Sequence, residues 1–201
     1  MPRLILASQS PHRLELLRTA GYEVEAVPAN INEPDLLNTG DLDAGLVHIA
    51  VLKALAVFRR GAAGLIFAAD TVGVAEGSVL GKPADRAEAF RMLRAISGTV
   101  HEVRTGWCLL RSSDQLQISG VERTTITMRP WTADEFTAYL DSGQWMGKSG
   151  AYGLQLPQDP FVTQMTGSAS NVVGVPLERL GQVLAELITR REAPGDAAGD
   201  R

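Results

Sequence analysis

Residues 65–83, LIFAADTVGVAEGSVLGKP, place a carboxylate at the end of a buried strand, and no other stretch constrains the chain as strongly. Leu65–Ala69 is a short apolar run of strand character that ends in Asp70. Val72 and Val74 resume the apolar character, Glu76-Gly77 reads as a hairpin tip, Val79-Leu80 as its return strand, and Gly81-Lys82-Pro83 as its close. A carboxylate in such a place costs free energy unless it is paired, hydrogen-bonded or bound to a metal. The hairpin returns Lys82 towards the level of Asp70, setting an acid and a base at one mouth. The plainer alternative is a structural ion pair beside a turn, and these residues alone favour neither.

With 201 residues, 45% of them hydrophobic and 21% charged, the chain suits a globular, soluble body with a real core. A net charge of −4 argues against broad nucleic-acid binding while leaving room for a local basic pocket. The single cysteine, Cys108, excludes an intramolecular disulfide and a multi-cysteine metal site, and its apolar neighbours make it core filler. The N-terminus lacks a long apolar segment and no 18-residue apolar span occurs, so a cytoplasmic protein without a membrane partner is expected.

In chain order, Leu4–Ala7 is a short buried strand of the kind that opens an α/β sheet. It leads into a helix from about Pro11 to Ala20, with Ser10 as N-cap, Pro11 at N1, Leu14 and Leu17 inward, and Gly21 as the stop. The Ser8 and Ser10 hydroxyls, the first N–H groups of the helix and the Arg13 fork form a plausible anion cradle, although most such helix starts are only capped surface helices. Tyr22–Pro28 alternates as a second strand, and Ala29–Asp43 reads as an exposed acidic loop in which Glu33 is a candidate metal ligand. A helix over 42–60 has Leu42, Leu46, Ile49, Leu52 and Ala56 at helical spacing; Lys53 beside that stripe points either at the site or into solvent.

Asp85 and Thr132 each begin a capping-box pattern, opening helices to Ile96 (Ala89, Phe90, Leu93 and Ile96 inward) and to about Ser142. Between them, His101–Leu110 and Gln115–Met128 read as two long strands. Gly147–Gly153 is glycine-rich and carries Lys148, Phe161–Met165 is a further strand, and Asn171–Val175 is another apolar run. The last helix starts at Pro176 with a stripe of Leu177, Leu180, Leu184, Leu187 and Ile188. One domain over 1–191 and a flexible tail over 192–201 follow from this pattern.

Two phosphate-loop lookalikes fail. Gly143–Ser149 is one residue short and follows a helix, and Gly77–Lys82 is followed by proline in place of Ser or Thr. His12, His48 and His101 have no metal-ligand spacing, and no G-x-S-x-G elbow occurs. What remains is Ser8, Arg13, Lys53 and Lys82 for anions with Glu33 and Asp70 for a metal or a water. That set suits metal-assisted attack of water on a phosphate ester or anhydride.

These residues carry a resemblance. LILASQSPHRLELL resembles the S-x-S-P-R-R opening of the Maf family of nucleoside triphosphate pyrophosphatases, and AADTVGV…GKP its A-D-T-V…G-K-P core. ISGTVHEVRTG, KSGAYGLQ and SNVVGVPL are similar to its later motifs, in order, over roughly residues 3 to 188. The resemblance implies an α/β fold with a central curved mixed sheet flanked by helices, related to the inosine triphosphatase architecture. It implies hydrolysis of a nucleoside triphosphate to the monophosphate and pyrophosphate with Mg²⁺ or Mn²⁺, in a housecleaning or cell-division-arrest role, with a homodimer as the expected assembly. Carried over by position, Asp70 is the base that activates water and Glu33 assists at the metal. Ser8, Ser10, Arg13, Lys53 and Lys82 hold phosphates, while His12, Thr71 and Gln155 choose the base.

Thr71 and Gln155 resemble the branch acting on dTTP and UTP; His12 departs from it, standing where the family has an arginine. Asn30 and Asn32 replace frequent aspartates, Gly147 an acid, and Leu156-Pro157 a glycine. Two other readings stand beside this one: a 7-methyl-GTP- or CTP-preferring pyrophosphatase, and a nucleotide-binding regulator of cell division that does not turn its ligand over.

Overall fold

In the computed structural model, which describes residues 2–33, 40–154 and 159–192 (side chains as far as residue 187), β1 (Arg3–Leu6) lies parallel between β2 (Glu23–Ala26) and β3 (Leu65–Ala75). β4 (Ser78–Leu80) folds back on the far end of β3. β5 (Val100–Arg111), β6 (Leu116–Met128) and β7 (Val162–Thr166) continue the sheet by antiparallel pairing. The mixed sheet has the order β2-β1-β3-β5-β6-β7, with β4 against β3. The helices are α1 (Pro11–Thr19), α2 (Leu42–Arg59), α3 (Arg86–Ile96), α4 (Ala133–Asp141), α5 (Ala169–Val173) and α6 (Leu177–Glu192), with a 3₁₀ turn at Ser149–Ala151.

Strand alternation divides the core. Ile66 and Ala68 of β3 with Cys108 and Leu110 of β5 face Ala50, Ala54 and Val57 of α2. Phe67, Ala69, Trp107 and Leu109 face the other way, onto Leu17 of α1 and Leu180, Val183 and Leu184 of α6. Beyond the middle of β3, Ala75 and Leu80 join Leu93 and Ile96 of α3 and Leu140 of α4 in a third cluster, in which Trp131 stacks on Phe161 at 3.7 Å. The expected capping box closes at Thr132, where Thr132 and Glu135 bond each other's backbone N–H reciprocally; at Asp85 half of it forms, Asp85 accepting from Glu88 N at 2.7 Å while the Glu88 carboxylate accepts from Ala84 N. Cys108 is fully buried, as its neighbours imply.

Two expectations need correction. The buried stripe of α2 runs through Leu46, Ile49, Ala50, Lys53, Ala54 and Val57; Leu42, Leu52 and Ala56 are only partly buried. This helix is apolar on most sides, so its pattern does not single out a face, and the lysine sits on the inward one. Phe90 is not inward but 38% exposed, in edge contact with Phe136 of α4 at 5.4 Å. The ion pair of the plainer alternative forms between Asp70 and Lys53 of α2 and not beside the turn, while Lys82 lines the same cleft as Asp70, as the hairpin reading expects. The expected tail begins on the last residue of α6, and its remainder lies outside the described residues, as does the side chain of Ile188.

One glycine fixes the height of α2 on the sheet. Gly106 of β5 pairs with Asp70 of β3, and a Cβ there would lie 2.3 Å from the Leu46 carbonyl carbon and 2.5 Å from its oxygen. The helix backbone therefore rests directly on β5. From Leu46, seven residues, or two turns and about 10.5 Å of rise, bring the same helix face to Lys53. Gly106→Ala forces α2 outward. We expect it to destabilise the fold by about 2–3 kcal/mol and lower Tm by roughly 5–10 °C in thermal unfolding. A Tm unchanged within 1–2 °C would contradict the direct seat.

Candidate active site

A cleft of about 610 Å³ opens between the α2 side of the sheet and the loop around Lys148. Its walls include Ser8, Ser10, His12, Arg13, Glu33, Lys53, Asp70, Thr71 and Lys82, so nine of the ten candidate residues come together there. The tenth, Gln155, lies outside the described residues.

The centre of the cleft is an ion triad built from three elements. Lys53 Nζ lies 2.6 Å from Asp70 Oδ1 and 2.9 Å from Glu33 Oε1, with Lys53 and Asp70 largely buried and Glu33 exposed. Each carboxylate thus commits one oxygen to the ammonium. Asp70 Oδ2 and Glu33 Oε2 have no hydrogen-bond partner among the described residues, so both are available to a ligand.

The other face of β3 carries a second network. Arg13 donates from Nε to Gly174 O (3.0 Å), from Nη1 to Ala69 O (3.0 Å) and from Nη2 to Thr71 Oγ1 (2.9 Å). Its longer contact to Ser8 Oγ, 3.4 Å, ties the fork to the turn before α1. Gly174 makes this approach possible, because a Cβ there would stand 2.6 Å from Arg13 Nε. Burial pulls the guanidinium pKa below its ordinary value, with the charges of Asp70 and Glu33 acting the other way; the group stays protonated. Most of the fork is therefore occupied by the protein, and Arg13 supplies the cleft with a fixed positive charge more than with free donors. Ser10 Oγ is likewise engaged, accepting from Arg13 N as the N-cap, and Ser8 Oγ accepts from Ser10 N at 3.1 Å.

Sequence reasoning missed the supports of Thr71. Thr105 Oγ1 donates to Asn171 O (3.1 Å) and lies 2.9 Å from Thr71 Oγ1, so Thr71 gives its proton to Thr105 while accepting from Arg13. Asn171, fully buried, donates to Val103 O and Thr124 Oγ1. Both residues stand in stretches quoted above, ISGTVHEVRTG and SNVVGVPL, which was the available signal. His101 is also in the cleft wall, buried, with burial pushing its pKa down to about 4, so it is neutral at pH 7. Lys82 lines the mouth, exposed, with no ion pair among the described residues. Burial pushes the Cys108 thiol up to about 12, which removes it as a nucleophile.

The Lys53–Asp70 contact can be isolated by a double-mutant cycle. Lys53→Met leaves a largely buried carboxylate unpaired and should cost about 3 kcal/mol in denaturant unfolding. Asp70→Asn in the same chain should return about 1 kcal/mol or more of that loss. Strict additivity would mean that the two groups do not interact.

The model of the Maf-like protein family matches residues 3–187 of this chain. A dTTP/UTP pyrophosphatase of Bdellovibrio bacteriovorus is 39% identical over 189 residues, covering 92% of this chain and 98% of that protein. The dTTP/UTP pyrophosphatase of Rhodopirellula baltica is 42% identical over 182 residues, covering 90% and 80%. That of Symbiobacterium thermophilum is 40% identical over 187 residues, covering 92% and 94%. Among solved structures, the Ham1 protein of Staphylococcus aureus aligns with a TM-score of 0.44 and 11% identity over 63% of this chain and 71% of that one.

Proposed function

Since the chain belongs to the Maf-like protein family, we propose that it hydrolyses nucleoside triphosphates, dTTP and UTP above others, to the monophosphate and pyrophosphate. The observation that carries this reading is the triad: a largely buried carboxylate, aimed by a lysine, with one oxygen free in a cleft lined by further cations. Full-length similarity to several dTTP/UTP pyrophosphatases supports the substrate class.

In this reading Asp70 Oδ2 accepts a proton from water, whose oxygen attacks the α-phosphorus. The bond from the α-phosphorus to the bridging oxygen breaks, and pyrophosphate leaves. Lys53 holds Asp70 in register on the strand, and Glu33 holds Lys53 from the other side. Arg13 and Lys82 set positive charge along the cleft, where it stabilises charge developing on the phosphates. Glu33 and Asp70 would hold a divalent cation, Mg²⁺ or Mn²⁺, through the carboxylate oxygens that Lys53 leaves free, since two carboxylates completed by substrate phosphates are a usual magnesium set. Bound there, the ion neutralises phosphate charge and lowers the barrier to attack.

Asp70→Asn should lower kcat by roughly a hundredfold or more with the fold retained, and chelation of divalent ions should abolish pyrophosphate release. A variant as active as the wild type would mean that a group other than Asp70 activates the water. A cytoplasmic setting and a homodimer belong to the same proposal. Consistent with the former, no described helix is long and apolar enough to cross a membrane.

Base choice falls to His12, Thr71 and Gln155 in this proposal. His12 is exposed at the cleft mouth, on the first turn of α1. Thr71 has one lone pair and its methyl left for a ligand, since its hydroxyl already accepts from Arg13 and donates to Thr105. Imidazole cannot reproduce an arginine's bidentate grip. His12→Arg should therefore widen the ratio of kcat/KM on UTP to that on CTP by several-fold, and Gln155→Ala should narrow it. Indifference of the ratio to both changes, or preference of the wild type for 7-methyl-GTP, would remove the pyrimidine assignment.

A further inference from the structure

Lys148 is a half-buried cation that lines the cleft and has no ion pair or side-chain hydrogen bond among the described residues. Its position is built, not incidental. The loop that carries it is anchored by Trp145, whose Nε1 donates to Leu140 O at 3.0 Å, and Lys148 N donates to Trp145 O at 3.2 Å. The next two residues are tied to opposite walls: Ser149 Oγ donates to Thr71 O (2.7 Å), and Gly150 N donates to Gly81 O (2.9 Å). The lysine side chain then passes over Gly153, where a Cβ would stand 2.3 Å from Nζ and 2.7 Å from Cδ and Cε. The absence of a side chain at Gly153 is what leaves room for the ammonium.

A desolvated, unpaired ammonium is unfavourable on its own, and desolvation draws the pKa of this one below its ordinary value. An anionic ligand removes that penalty. The neighbouring charges indicate which part of a substrate it meets. Lys53 is already neutralised by Glu33 and Asp70, and most donors of Arg13 are bonded to the protein. Lys82 is the other cleft lysine without an ion pair among the described residues, and it follows Gly81, the residue to which the Lys148 loop is bonded. The two lysines are therefore carried by segments joined by a backbone hydrogen bond. In-line displacement sends the leaving group away from the attacking water, and hence away from Asp70.

On the reading given under Proposed function, we propose that Lys148 is a further substrate-binding residue that, together with Lys82, holds the departing pyrophosphate. It touches the substrate directly, and Gly153 positions it.

The test compares wild type, Lys148→Met, Gly153→Ala and the double variant. The measurements are kcat/KM on UTP with pyrophosphate detection, and inhibition by inorganic pyrophosphate and separately by UMP. Lys148→Met should lower kcat/KM by about 10- to 100-fold and weaken inhibition by pyrophosphate at least tenfold, leaving inhibition by UMP unchanged. Gly153→Ala displaces only the flexible end of the lysine, so it should act in the same direction with Tm near that of the wild type. The double variant should be no worse than Lys148→Met, because both changes remove one interaction.

Unchanged pyrophosphate inhibition in Lys148→Met, or weakened inhibition by UMP in its place, overturns the assignment. If Lys148→Met fails to fold, the pyrophosphate inhibition of Gly153→Ala decides on the same criterion. A wild type that releases no pyrophosphate from any triphosphate brings down the function itself, a result distinct from an active wild type whose variants match it.

Discussion

The ammonium of Lys53 holds together groups that the chain delivers from three directions. Asp70 comes from the middle of β3, Glu33 from the segment after β2, and the lysine from the inner face of α2. Two carboxylates facing one cleft repel each other, and a lone ammonium on the inner face of an apolar helix is poorly solvated. Neither arrangement is stable without the other. The contact also depends on packing that has no polar character at all. Because the α2 backbone lies on Gly106, directly across from Asp70, the helix can neither rise nor slide without separating lysine from carboxylate. Core packing is the means by which the charged groups are aligned, and close-packed interiors transmit even small displacements.

Consecutive residues of β3 serve opposite faces. Asp70 points with Ala68 towards α2, while Thr71 points with Ala69 towards the side of α1. Arg13 joins the two by donating to Ala69 O and Thr71 Oγ1, and the chain from Thr71 through Thr105 to Asn171 O continues the same network into α5. The polar groups on this side are thus bonded mainly to one another. They are held in place by the protein itself, and preorganised dipoles and charges stabilise a developing charge better than groups that must reorient. His12 and Lys82, by contrast, are exposed residues of the cleft wall outside this network.

What was legible in the sequence was local. The β3–β4 hairpin, the caps at Asp85 and Thr132, and the apolar stripe of α6 each rest on signals a few residues apart, and each appears where its signal lies. The face of α2 was not legible, because alanine, valine and leucine surround that helix and no period stands out. The partner of Asp70 was not legible for a related reason. A hairpin advertises the lysine that returns beside it, Lys82, whereas the actual partner is set by how a helix 17 residues upstream lies on the sheet. The resemblance collected nine of its ten site residues into one cleft but said nothing of Thr105, Asn171 or Gly106 as supports. Their work is to accept, donate or leave space for another residue, and such roles exist only once the strands and helices are in contact.

The distribution of charge in the cleft also separates catalysis from mere binding. A site selected only to hold a polyanion gains from cations and loses from every carboxylate placed beside it, since like charges at close range repel. This cleft keeps two carboxylates, one of them largely buried, and holds a lysine against both of them. It then sets Lys82 and Lys148 free of any such neutralisation among the described residues. The cleft cations are therefore divided: Lys53 is held against two acids and Arg13 is bonded within the protein, while Lys82 and Lys148 have no ion pair among the described residues. On the function proposed above, that division serves hydrolysis, which needs an oxygen base aimed at water at one end of the substrate and unneutralised positive charge where the leaving group departs.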